Sequence, residues 1–271
     1  MATKLHLLII DPQNDFCDPK GSLYVKGADG DMERLGRLIL RMKDRVEAIH
    51  VTLDTHHLSD VAHPIFWVDE RGSHPEPFTI ITVDDVEKGR WIPGNPAHRE
   101  RVLRYVRSLA KNGRYPLCVW PPHCLIGSWG NNVYGPVHSA LLEWEKSHAV
   151  VDYVVKGTNT WTEHYSAVQA DVPDESDPTT LPNTRLIDAL RTADIIAVAG
   201  EALSHCVANT VRDLADHMGK DSVRKLVLLS DGSSPVPGFE KEAEAFLREM
   251  TWRGMEMSKA TDFDVEKREV A

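Results

Sequence analysis

The chain has 271 residues, 42% of them hydrophobic and 27% charged, enough for one large α/β domain with a full core and an ordinary soluble composition. A formal net charge of -10 argues against non-specific binding to nucleic acid or anionic membrane, both of which need clustered positive charge. No stretch reaches the roughly 18 apolar residues of a membrane span. The four cysteines (Cys17, Cys118, Cys124 and Cys206) are too few for a disulfide scaffold, so a reducing, cytoplasmic location is expected.

The opening run MATKLHLLIIDPQ breaks at Asp11-Pro12 and reads as a first strand, Leu5–Ile10, rather than a signal peptide. A helix over Asp31–Arg45 follows, with Leu35, Leu38, Ile39 and Met42 on one face, then a strand over Ile49–Leu53. Pro64–Gly94 is rich in Pro, Gly and charge, with extended runs at Ile65–Val68 and Phe78–Val83. It is expected to be an inserted hairpin or lid inside a single domain spanning residues 1–271, being too short for its own core. Further along, a helix over Pro96–Ala110 precedes a strand over Leu117–Trp120, and a helix over Val137–His148 precedes a strand over Val150–Val155. A polar loop, Asp171–Pro182, leads to a helix over Asn183–Ala193 and a strand over Ile195–Ala199. The last elements are a helix over Val207–Met218, a strand over Leu226–Leu229 and a helix over Phe239–Gly254, with a charged end from Thr261 expected to fray. This alternation predicts a doubly wound, Rossmann-like, mainly parallel sheet with helices on both faces.

Ligands of such sheets gather at the carboxyl ends of the strands. Successive strand ends here offer Asp11, the Asp54-Thr55-His56 run, Pro121-Pro122-His123, Lys156 and the loop to Cys206. A lone cysteine at a helix start is more often a small buried hydrophobe than a nucleophile. With Ser204 as an N-cap, however, the Cys206 thiol sits in a first turn whose dipole and free amides favour thiolate and can hold an oxyanion. Most lysines are solvated, and strand-end aspartates often only form turns. Near Cys206, though, an ammonium at Lys156 would lower the thiol pKa, and Asp11 could carry its proton. Asp54 and His56 with His123, and His63 nearby, form a set of oxygen and nitrogen donors suited to Zn²⁺, Fe²⁺ or Mn²⁺. His57, His74 and His138 have no such placement and are expected on the surface.

The motifs DPQNDFCDPKGSL (Asp11–Leu23), VTLDTH (Val51–His56), WPPHCLIG (Trp120–Gly127), VKGTNTWTEHYSA (Val155–Ala167) and GEALSHCVANT (Gly200–Thr210) occur in that order. Together they make the chain resemble the nicotinamidase/isochorismatase-like cysteine hydrolase superfamily, over nearly its whole length except Pro64–Gly94. The resemblance implies a catalytic triad of Asp11, Lys156 and Cys206. It also implies a cis peptide between Glu201 and Ala202, with the Ala202 and Cys206 amides as oxyanion donors. A divalent metal, zinc first, would be held by Asp54, His56 and His123, with His63 as a further ligand in some members. Phe16, Trp120 and Tyr165 match positions that enclose the nicotinamide ring. The implied partners are a small amide substrate and further copies of the chain, with no nucleic acid and no membrane.

Isochorismatases lack the cysteine, and metal-free amidases of the superfamily lack the D-x-H run and the strand-end histidine, so neither branch fits as well. This chain departs from the nicotinamidases in three places: Glu201 stands where they usually carry an apolar residue, the Lys156 to Tyr165 loop is expanded, and Pro64–Gly94 is inserted beside the pocket. The implied reaction is hydrolysis of a carboxamide, nicotinamide first, through a cysteine thioester. Three alternatives stay open: an amidase for a ureido or other small amide, a non-catalytic binding protein on the same fold, and a zinc hydrolase in which Cys206 is a ligand.

Overall fold

Short runs rich in Val, Ile and Leu, buried on both faces, make the central strands, and the amphipathic segments between them cover those faces. The computed structural model describes residues 3–112, 114–147 and 149–266. In chain order the elements are β1 (Leu5–Ile10), α1 (Asn14–Cys17), α2 (Ala28–Met42), β2 (Val46–Asp54), β3 (Trp67–Val68), β4 (Ile80–Ile81), α3 (Val83–Glu87), β5 (Ile92–Pro93) and α4 (Arg99–Asn112). They continue with β6 (Leu117–Cys118), α5 (Gly135–Glu145), β7 (Asp152–Lys156), α6 (Thr184–Arg191), β8 (Ile195–Gly200), α7 (Ala208–Met218), β9 (Leu226–Leu229), α8 (Glu240–Arg253) and β10 (Glu256–Ser258).

Six strands form one sheet in the order β10-β9-β8-β1-β2-β7, every neighbouring pair parallel. Helices cover the sheet in two groups, α2 against α5 and α6, α7 and α8 against one another, as the doubly wound reading requires. β1 lies in the middle and is buried throughout, so its sequence LHLLII shows no alternation. The chain order reverses beside it, and β1, β2 and β7 therefore deliver their carboxyl ends to neighbouring points. At Gly200 the β8 backbone takes φ +124°, and a Cβ there would lie 2.0 Å from the Ile10 carbonyl oxygen, so only glycine lets these two strand ends approach.

Several expectations from the sequence are corrected. Leu117–Trp120 is not a strand of the central sheet: only β6 forms, and it pairs antiparallel with β4 from the insertion. The run was apolar because it is buried, not because it lies in the parallel sheet. The two extended runs of Pro64–Gly94 do not pair with each other; β3 pairs antiparallel with β5 inside the insertion, and β4 pairs with β6, which stitches the insertion to the body. β7 is an edge strand whose Tyr153 and Val155 are exposed while Val154 and Lys156 point inward. The sixth strand is β10, too short and polar to be read in advance. The chain end does not fray at Thr261, since Phe263 and Val265 are buried and Arg41 donates to the Ala260 carbonyl at 2.7 Å. Residues 267–271 lie outside the described residues, as does His148 at the end of the helix expected over Val137–His148, which stops at Glu145. Among the described residues, no helix is long and apolar enough to cross a membrane.

Away from the carboxyl ends of the strands, a polar chain crosses the sheet. His6 Nδ1 meets His50 Nε2 at 3.2 Å, His50 Nδ1 meets Asp152 at 2.8 Å, and Arg185 donates to Asp152 at 2.6 Å. Burial, and then the neighbouring His50, lower the His6 pKa from 6.5 to about 4. The unfolded chain therefore binds a proton at His6 that the folded chain refuses between those two values, and folding stability must fall as pH drops through that window. This one group contributes about 2–3 kcal/mol across it. In His6→Asn, whose amide can take the place of Nδ1, thermal denaturation from pH 7 to pH 4 should show a shallower loss of stability than in the parent chain.

Candidate active site

Three strand ends meet at one ammonium. Lys156 closes β7 on its inward face, and its Nζ lies 2.9 Å from Asp11, 2.9 Å from Asp54 and 3.7 Å from Cys206 Sγ, while donating to the His164 carbonyl at 2.9 Å. All four of these side chains are buried. Burial alone would lower the Lys156 pKa, but the Asp11 and Asp54 carboxylates hold it well above its ordinary value. Gly157 follows with φ +84°, and a Cβ there would press on Asp54 Oδ1 at 2.9 Å, so glycine leaves room for the ion pair.

Asp11 follows β1 in the left-handed region, φ +44°, which Asp tolerates better than most non-glycine residues. Thr52 fixes it twice: its Oγ1 donates to Asp11 Oδ1 at 2.5 Å and accepts the Asp11 amide at 3.0 Å. Thr52 and Asp54 stand two residues apart on β2, so both side chains point to one face. Gln13 clasps the Asp54 backbone, accepting its amide and donating to its carbonyl, both at 2.7 Å.

Cys206 lies in a π-helical turn, Leu203–Val207, that runs into α7. The Ala202 carbonyl accepts the His205 and Val207 amides at 3.0 and 3.2 Å, which winds the turn around the thiol, and the Glu201–Ala202 peptide is cis. Ser204 is not an N-cap. Its Oγ meets His205 Nδ1 at 2.9 Å and accepts the Val236 amide at 3.1 Å, because the π turn leaves no capping geometry and the residue is buried under the 231–236 loop. The thiol also differs from the dipole argument. Burial pushes its pKa well up, and although Lys156 pulls it down, Asp11 and Asp54 add to the rise. Burial and the two carboxylates thus work against a preformed thiolate, while the sulfur accepts a hydrogen bond from Lys156 Nζ at 3.7 Å.

Asp54 also faces the histidines. His56 Nε2 is 3.0 Å and His123 Nε2 3.4 Å from Asp54 Oδ2, and the donor atoms of Asp54, His56 and His123 all lie within 4.8 Å of one another. Each Nδ1 is already tied, that of His56 to Asp60 at 3.1 Å and that of His123 to the Pro121 carbonyl at 2.9 Å. That second layer fixes the tautomer that leaves Nε2 for a cation. His63 adjoins the set, its ring 5.2 Å from His56 and 5.4 Å from His123. Its Nδ1 is held by the His57 carbonyl at 3.1 Å, and its buried Nε2 has no hydrogen-bond partner among the described residues. The donor set fits a divalent ion such as zinc. His123 reaches it without a central strand behind it, through a bridge in which the His56 amide donates to Cys124 and the Ile126 amide to His56, both at 3.1 Å. Cys206 is not among these clustered donor atoms and meets Lys156 Nζ instead, which speaks against the reading of Cys206 as a metal ligand.

Of the three aromatic residues, Phe16 packs edge-on against His123 at 5.3 Å. Trp120 and Tyr165 share a hydrogen bond of 3.0 Å, and both rings lie against His205, at 5.2 and 5.1 Å. Sequence reading missed Thr52, Gln13, His164, Glu163 and His205. Thr52 could have been found by its two-residue spacing from Asp54. Burial holds His205 neutral, lowering its pKa to about 3, and pushes the Glu163 carboxyl up to about 8. Neither has a local signature. His57, His74 and His138 are exposed.

The six-stranded parallel sheet with its covering helices has the α/β fold of solved nicotinamidases and pyrazinamidases. The chain is 24% identical over 212 residues to the nicotinamidase of Saccharomyces cerevisiae, covering 78% of this chain and 81% of that one. The yeast nicotinamidase bound to the inhibitor nicotinaldehyde superposes with a TM-score of 0.66 at 19% identity, over 94% of this chain and 99% of that one. An Acinetobacter baumannii nicotinamidase/pyrazinamidase gives 0.65 at 20% identity, over 96% and 98% of the two chains. The pyrazinamidase of Pyrococcus horikoshii in complex with zinc gives 0.55 at 19% identity, over 94% and 99%. No family model matches the chain.

Separation of thiol and histidines has a direct consequence for metal content. After dialysis against zinc, Cys206→Ala should retain the parent stoichiometry by elemental analysis, and Asp54→Ala and His123→Ala should lose it. Loss from the cysteine variant would return Cys206 to the ligand set.

Proposed function

We propose that the chain hydrolyses a small carboxamide through a thioester on Cys206, with nicotinamide as the leading substrate. The observation that carries this reading is the single ammonium of Lys156, which ties the thiol, its proton acceptor Asp11 and the metal-facing Asp54 together within 3.7 Å. A buried structural cysteine has no use for such partners.

In the first half-reaction the Asp11 carboxylate takes the thiol proton as Cys206 Sγ attacks the carboxamide carbon. The C=O π pair moves onto oxygen, where the Ala202 and Cys206 amides receive it. The tetrahedral centre collapses as the C–N bond breaks, and ammonia leaves with the proton from Asp11. In the second half-reaction Asp11 takes a proton from water, whose oxygen attacks the thioester, and the proton returns to the thiol as the acid departs. Lys156 keeps Asp11 usable as a base inside a dry site, because burial would otherwise favour the neutral acid. A divalent ion on Asp54, His56 and His123 would supply Lewis acidity towards a ring nitrogen or an orienting water, zinc being the first choice and iron or manganese the others. Phe16, Trp120 and Tyr165 would wall the ring. The insertion gives a specific reason to keep another small amide, a ureido compound included, as the second reading: Phe78 packs edge-on against Trp120 at 5.8 Å and so alters that wall.

Ammonia release from a panel of small amides tests both readings. Nicotinamide should turn over, Cys206→Ala should not, and Asp11→Asn should lose on the order of 10²–10⁴ in kcat/KM. Turnover of another amide with nicotinamide inert would replace the substrate and keep the chemistry. Silence with every amide would favour a binding protein. Burial, opposed by Lys156 and aided by Asp54, raises the Asp11 pKa above 3.8. Because the reaction needs the ionised form, the acid limb of kcat/KM against pH should fall at a higher pH than an ordinary aspartate would give.

A further inference from the structure

Glu201, the residue on the amino side of the cis peptide, is fully buried and has no part in the chemistry above. Its amide donates to the Ile10 carbonyl at 2.8 Å, which keeps it in register with β1 beside Asp11. Its carboxyl accepts the Ser234 amide on Oε2 at 3.1 Å, and Oε1 meets no donor. The same Ser234 binds a second carboxyl, that of Asp31 on α2, through its hydroxyl, so two buried acids meet at one serine. Asp31 is already committed elsewhere: Ser234 Oγ donates to its Oδ2 at 2.5 Å, and Arg34 pairs with its Oδ1 while donating to the Asp231 carbonyl at 2.6 Å. The same 231–236 loop grips the turn at other points. Gly200 donates to Gly232 at 2.9 Å, Leu203 donates to Ser234 at 2.8 Å, and Ser233 donates to Gly200 at 2.5 Å.

We propose that Glu201 is a positioning residue, a carboxylic acid that donates to Asp31 and accepts from Ser234 and thereby holds the Ala202 amide where the oxyanion forms. It adds a side-chain link where three pieces meet: the Cys206 turn, α2 and the 231–236 loop. Burial, and then the Asp31 carboxylate, raise its pKa well above the usual range, which agrees with a retained proton. Asp31 and Arg34 on α2 and the Cys17 thiol on α1 are the charged or titratable side chains that act on it. The proposal rests on the reading of Cys206 as the nucleophile.

A glutamine at this position can donate and accept in the same directions, whereas methionine keeps only the volume and aspartate keeps the acid without the reach. The probe is nicotinaldehyde. The Cys206 sulfur adds to its carbonyl carbon, a C–S bond forms as the π bond opens onto oxygen, and the thiol proton passes to Asp11, so affinity reports the oxyanion donors. Affinity is read as protection of Cys206 from iodoacetamide by mass spectrometry, with nicotinate binding as the ground-state comparator. Glu201→Gln should stay within about twofold of the parent chain. Glu201→Met and Glu201→Asp should lose tenfold or more in aldehyde affinity and in kcat, with KM and nicotinate affinity within twofold. Equal impairment of the glutamine variant, parent-like aldehyde affinity in the other two, or failure of both to fold while the glutamine variant folds, would each overturn the positioning role. A parent chain in which the aldehyde never protects Cys206 would instead bring down the nucleophile reading, and this proposal with it.

Discussion

The site depends on one buried ammonium. A lysine withdrawn from water costs several kcal/mol in desolvation, about as much as an ion pair at good distance returns. Lys156 is tolerable only because Asp11 and Asp54 both stand 2.9 Å away and the His164 carbonyl takes a further hydrogen bond. That requirement brings the carboxyl ends of β1, β2 and β7 to one place, and the rest of the site follows from where those ends lie. Removing the lysine would leave two buried carboxylates facing each other, so the constraint acts on folding as well as on chemistry.

Asp54 has two neighbours to satisfy, which couples the halves of the site. One oxygen serves Lys156 and the other faces His56 and His123. Burial alone would raise its pKa, but His56 and Lys156 hold it well below the ordinary range. A ring bound at the histidines and a carboxamide presented to Cys206 would thus be spaced by a single side chain, itself clasped through its backbone by Gln13. In the proposed reaction this spacing performs the orientation that a loosely held metal could not.

Much of this was legible in the sequence because strand ends are local features. The LHLLIID, VTLD and VVK runs each announce a strand and the polar residue that follows it, and parallel topology then brings those residues together. Long-range pairing was not legible. Leu117–Trp120 has the composition of a central strand, yet its hydrogen-bonding partner is β4, more than thirty residues earlier, and nothing local encodes that choice. The same is true of β10, whose few polar residues become a strand only because β9 offers a free edge. Ser204 has the sequence position of a cap, and only the π turn, set by the packing of the 231–236 loop, shows why it bonds elsewhere. Glu201 was visible as a departure from the superfamily pattern, but its partners Asp31 and Ser234 lie far away on opposite sides of it in the chain.

Two pairs of buried carboxyl groups flank the nucleophile turn, and they are neutralised by different means. Asp11 and Asp54 share a fixed cation, so both can remain ionised, and in the proposed reaction that charge would receive the thiol proton. Glu201 and Asp31 have Arg34 on one side and, in the positioning role proposed for Glu201, would share a proton, with Glu201 as the donor. A base must keep its charge to do its work, whereas a strut gains from losing it, because a neutral acid can hydrogen-bond a carboxylate that a second carboxylate would repel. In the proposed reaction the same physical problem, two acids in a medium that cannot solvate them, therefore has a catalytic solution on one side of Cys206 and a structural one on the other. The choice between them is set by whether a lysine or a proton fills the gap.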